Sequence, residues 1–106
     1  MKAIVLEKAG GVENLKTTDL EKPIAGDNEV IVETKALGIN PVDYKVRSNE
    51  EVLSMIYGEH RPAIIGWDIA GIVTNTGKSV SNFVIGDKVF GMVNFPGSGN
   101  AYAEFV

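Results

Sequence analysis

The chain has 106 residues, 44% hydrophobic and 23% charged, the composition of an ordinary globular domain and far from that of a disordered or collagenous chain. A chain of this size buries roughly 65% of the surface its unfolded form exposes, enough for one core and therefore one domain. Ten Lys and Arg against fourteen Asp and Glu leave a net charge of -4, with no basic run to neutralise a row of phosphates, so nucleic acid is not expected as a partner. The opening apolar run, Ala3 to Leu6, is too short for a signal-peptide core or a membrane span, and a cytoplasmic protein with no membrane partner is expected. The absence of cysteine excludes disulfides, a thiolate nucleophile and thiolate-bound zinc, and the single His60 cannot build a histidine cluster.

Residues 2 to 8 form a β-branched and aliphatic block that runs into Gly10-Gly11, which predicts a first strand and a turn. A weaker segment, Leu15 to Leu20, precedes the turn cluster Pro23 and Gly26-Asp27-Asn28. Glu29 to Leu37 is the clearest strand of the first half, with Val30, Val32, Thr34 and Ala36 on one face and Glu33 and Lys35 on the other. After Gly38, Asn40-Pro41 places a capping residue before a proline suited to a first helical turn. Ser48 to Glu51 has capping-box spacing ahead of Val52, Leu53, Met55 and Ile56, which predicts a second short helix that ends by Gly58. Residues 69–76, 87–93 and 101–106 read as strands separated by glycine turns. The last block still alternates at Val106, as a strand cut short would. The sum is a mainly β domain, a curled sheet or partly open barrel with short helices.

Gly97-Ser98-Gly99 imitates the start of a dinucleotide fingerprint, but position 102 is Tyr and a strand rather than a helix is expected to follow. No P-loop, His-Glu-x-x-His helix, calcium loop or glycosylation sequon is present.

Two regions carry a family resemblance. Gly38-Ile39-Asn40-Pro41-Val42-Asp43-Tyr44-Lys45 resembles a loop of the zinc-independent medium-chain dehydrogenases/reductases, the quinone oxidoreductase branch. The blocks Gly66-Trp67-Asp68-Ile69-Ala70-Gly71, Gly77 with Val80, Phe83-x-x-Gly86-Asp87-x-Val89-Phe90-Gly91, and Ala101 to Val106 are similar in order and spacing to the same family's N-terminal domain. The resemblance covers essentially all of residues 1–106 and implies a GroES-like fold. It also implies that a Rossmann domain, absent here, belongs to the complete subunit, so that this chain corresponds to a truncated first part holding little of the cofactor site.

The resemblance further implies hydride transfer from NADPH to a small-molecule quinone or conjugated carbonyl, and a homodimer in the full-length form; NADPH rather than NADH rests on resemblance alone. Zinc-dependent relatives carry Cys at the position of Asn40 and a His-Glu pair at Trp67-Asp68, so no metal site is expected. Asn40 has two readings that can both hold: a cap for the helix after it, and an amide at the floor of the cleft that donates to a substrate carbonyl or meets the nicotinamide ribose. An Asp in its place would cap as well but could not donate.

Asp43 is read as a buried or turn-stabilising carboxylate. Tyr44, Trp67 and Phe95 are candidate walls of the substrate pocket, each also readable as packing. Lys45, with Arg47, is a candidate for a cofactor phosphate or a solvated surface charge, and His60 is assigned no role. The alternative to an enzyme domain is a non-catalytic GroES-like binding or assembly module. That function calls for a long mobile loop ending in an apolar triplet, whereas residues 9 to 28 are mixed and charged.

Overall fold

The computed structural model describes all 106 residues. Strand β1 (Lys2–Leu6) pairs antiparallel with β2 (Leu15–Asp19) through a 3-10 turn at Val12–Asn14. Strands β3 (Val30–Gly38), β4 (Asp68–Thr76) and β5 (Lys88–Met92) form an antiparallel sheet in that order. Between β3 and β4 lie helices α1 (Pro41–Ser48) and α2 (Glu50–Tyr57). Neither is long or apolar enough to cross a membrane.

The expected strand over 101–106 is not a regular strand. Its backbone bonds are divided between two sheets: Ile4 N–H donates to Tyr102 O at 2.8 Å and Glu104 N–H to Lys2 O at 3.1 Å, while Thr34 N–H donates to Glu104 O at 2.9 Å. Val32 and Val106 exchange bonds of 2.7 and 3.0 Å. Serving β1 on one side and β3 on the other, the segment joins the two sheets into one curled surface whose outer strands, β2 and β5, have no second neighbour. That is the partly open, mainly β architecture the sequence implies.

Local departures from the sequence pattern have physical causes. Register shifts at Ile31/Val32 and Thr34/Ala36 break the alternation of β3, so Ile31 and Val32 are both buried and Ala36 is exposed rather than sharing one face with Val32. The cap of α2 is Asn49, whose side chain accepts from Val52 N–H at 3.2 Å, and not Ser48. Helix α1 runs through Ser48, whose hydroxyl donates to Tyr44 O at 2.7 Å. The main core joins both helices to β1 and to the segments on either side of β4 and β5 through Leu6, Val46, Leu53, Tyr57, Ala63, Ile65, Trp67 and Tyr102. Val42, just past the β3–α1 junction, packs against this core.

Candidate functional site

The site grows from that junction. Asn40 is extended, with φ −119° and ψ 160°, and its carbonyl accepts from Asp43 N–H at 2.9 Å to open α1. Pro41 follows at the first helical position, where a missing N–H costs nothing. Asp43 closes the turn from the other side: its Oδ2 accepts from Asn40 N–H at 3.2 Å and from the Tyr102 hydroxyl at 2.7 Å. The Asp43 side chain is 2% exposed, and its Oδ1 is buried without a hydrogen-bond partner.

The Asn40 side chain turns to β4, where Nδ2 donates to Asp68 Oδ2 at 2.6 Å. A carboxylate offers only acceptors, so this bond fixes which end of the amide faces Asp68. The Asn40 NH2 group carries a second hydrogen that this bond does not use. Gly38 lies opposite Asp68 across the β3–β4 ladder, and a side chain there would begin 3.0 Å from Asp68 Cβ. Asp68 in turn lies opposite Met92 of β5, so one row of the sheet carries Gly38, Asp68 and Met92.

The aromatic candidates separate. Trp67 is 1% exposed, donates from Nε1 to Gly97 O at 2.6 Å and packs in the core, so it anchors rather than faces a ligand. Phe95 stands edge-on to it at 5.8 Å between ring centres and is half exposed. The loop that carries Phe95 lies tight on Trp67, because a Cβ at Gly99 would come within 2.5 Å of Trp67 Cδ1. Tyr44 is also half exposed.

Of the two cationic candidates, Lys45 is exposed, while Arg47 donates from its guanidinium to Gly10 O and accepts from Gly10 N–H at its own carbonyl, 2.9 Å away. Arg47 therefore ties the turn after β1 to α1. Burial, and next Asp43, push the Tyr102 hydroxyl well above its usual range. Burial likewise pushes Tyr57 up to about 12. Both phenols are therefore held as protonated donors, Tyr57 to Ile64 O at 2.8 Å.

No three His, Asp or Glu side chains come together as metal ligands, and His60 is exposed. Helix α1 opens on Pro41, which has no N–H, with Asp43 in its first turn, and α2 opens on Glu50 and Glu51, so neither helix N-terminus suits a diphosphate. Tyr44 and Lys45 stand exposed on α1, in the turn that follows the half-buried Asn40. Tyr102 was the residue the sequence concealed. Its alternation with Ala101 and Ala103 reads as strand, and only the fold brings it to Asp43.

The family profile of the alcohol dehydrogenase GroES-like domain matches residues 26–105. The chain is 39% identical over 106 residues to quinone oxidoreductase of Sus scrofa, covering 99% of this chain and 30% of that protein. It superposes on the quinone oxidoreductase from Coxiella burnetii with a TM-score of 0.92 and 35% identity, covering all of this chain and 33% of that one. The Escherichia coli quinone oxidoreductase complexed with NADPH gives a TM-score of 0.83 at 30% identity, over 100% of this chain and 30% of that one. The chain thus spans less than two thirds of the length of each of these relatives.

Proposed function

Because the chain belongs to the alcohol dehydrogenase GroES-like domain family, in its quinone-oxidoreductase-like branch, we propose that it forms the substrate side of an NADPH-dependent, zinc-independent reductase of quinones or conjugated carbonyls. The observation that carries this reading is the Asn40 amide: one N–H is held by Asp68 at 2.6 Å and the other is left for an acceptor. NADPH, when bound, supplies the hydride. The residues of this chain do the rest of what the domain contributes. The spare Asn40 N–H donates to the substrate carbonyl oxygen and strengthens as negative charge gathers there. Asp68 fixes the amide so that this donor need not be reorganised during the reaction. Phe95, backed by Trp67, and Tyr44 offer aromatic surface to a planar substrate, and Lys45, exposed on α1, meets an anionic group of the cofactor. Zinc independence is supported by the donor set: Asn40, Trp67 and Asp68 supply one carboxylate and no imidazole or thiolate.

The test is steady-state oxidation of NADPH by 1,4-naphthoquinone in the intact protein that carries this domain, with and without a metal chelator. Turnover unaffected by the chelator is expected. No turnover with any quinone or enone tried, or loss of turnover on chelation that added zinc restores, would contradict the proposal.

A further inference from the structure

Asp43 is the one charged side chain shut inside the domain, and the chemistry proposed above gives it no task. Its environment is specific. Oδ2 is shared between the Asn40 main-chain N–H and the Tyr102 hydroxyl, and Oδ1 is buried with no partner. A carboxylate placed only to cap a helix would sit at the surface, where water could satisfy the second oxygen. Here Tyr102 arrives from the segment that stitches the two sheets together, 59 residues further along the chain. Its ring occupies the space left by Gly66, where a Cβ would stand 2.4 Å from Tyr102 Cδ1.

We infer that Asp43, locked by Tyr102, is a positioning residue that fixes the main chain at Asn40 and so aims the Asn40 amide. The inference rests on the proposed role of Asn40. Asn40 is held at two points, Asp43 at its main-chain nitrogen and Asp68 at its side chain, and two fixed points set the direction of the remaining N–H. Releasing the first point leaves the side-chain bond intact but lets the residue pivot about it. Misplacement on the order of 1 Å in such a group costs roughly a hundred-fold in rate. Tyr102→Phe removes only the hydroxyl and keeps the ring that packs in the core, so it is the mildest way to loosen Asp43.

The experiment is a double-mutant cycle of Tyr102→Phe and Asn40→Ala in the intact protein, with kcat and KM for NADPH and 1,4-naphthoquinone measured at a temperature where melts show every variant folded. In the wild-type background Tyr102→Phe is expected to lower kcat by roughly ten- to a hundred-fold with little change in KM. In the Asn40→Ala background it is expected to lower kcat no further, because no amide is left to aim. Nitrogen-15 NMR of the 106-residue chain supplies a readout independent of turnover: the Asn40 side-chain NH2 resonances are expected to shift and broaden in Tyr102→Phe, and likewise in Asp43→Asn. An equal loss in both backgrounds, no loss in either, or unmoved Asn40 resonances overturns the positioning role. If Asn40→Ala alone leaves kcat unchanged, the proposed function fails, and the NMR comparison still decides whether Tyr102 and Asp43 hold Asn40.

Discussion

At Asn40 the structural task and the chemical one proposed for it fall on different atoms of the same residue. The main chain opens α1, while the side chain is committed to Asp68, so Asn40→Ala should lower stability by about 0.5–1.5 kcal/mol through the loss of that hydrogen bond. The same variant should lower kcat/KM by roughly ten- to a thousand-fold, about 1.4–4 kcal/mol in barrier. A melt and a rate on the same preparation check both. Asn40→Asp is a different matter from what the sequence suggests. As a cap it is acceptable, but it sets a second carboxylate where Nδ2 now lies 2.6 Å from Asp68 Oδ2, and two carboxylates so close do not both ionise readily. The stability gap between Asn40→Asp and the wild type should therefore narrow as pH falls from about 7 to about 4, when one of the pair takes a proton. Thermal melts across that range measure it; a gap independent of pH contradicts the Asn40–Asp68 contact. Asn40, Pro41 and Asp43 were legible in the sequence because capping is local. Their partners were not, since Asp68 lies 28 residues from Asn40 and Tyr102 lies 59 from Asp43.

At the scale of elements, the strands with clear alternation and glycine boundaries were legible: 29–37, 69–76 and 87–93 in the sequence correspond to β3, β4 and β5. The two register shifts in β3 were hidden, because a bulge changes which face a residue takes without changing its hydrophobicity. The last segment was misread as a strand for a related reason. Its alternation is real, but its hydrogen bonds go to β1 and β3 in turn, a property of the neighbours rather than of Ala101 to Val106. Gly66 makes this element testable. It has φ +90°, and its missing side chain gives Tyr102 its place. Gly66→Ala combines a backbone strain of about 1–3 kcal/mol with a clash against the ring, so the loss in denaturant-measured stability should exceed 1 kcal/mol or so. A neutral Gly66→Ala would mean that Tyr102 does not pack where it is placed.

Over the whole molecule, the buried phenols set an alkaline limit. Tyr57 is raised from 10.0 to about 12 and Tyr102 further, both chiefly by burial, so the unfolded chain loses these protons before the folded one does. The sign follows directly: their stabilising contribution is complete below pH 10, falls as pH rises above it, and for Tyr57 is gone past about 12. Unfolding midpoints measured from pH 8 to 12 should drop steeply from about pH 10. Tyr57→Phe should flatten that drop, and a curve of unchanged slope would contradict the burial of this hydroxyl. The same global view divides the labour of the proposed enzyme. The proposal assigns the substrate donor and aromatic walls to this chain, whereas its two helix N-termini, one opened by Pro41 and the other by Glu50 and Glu51, are unfit for a diphosphate. Calorimetric titration of the 106-residue chain with NADPH tests that division most directly. A dissociation constant of about 1 mM or weaker, near 4 kcal/mol of binding, is expected, whereas one of about 1 μM, near 8 kcal/mol, would place the cofactor seat within this chain and contradict the account.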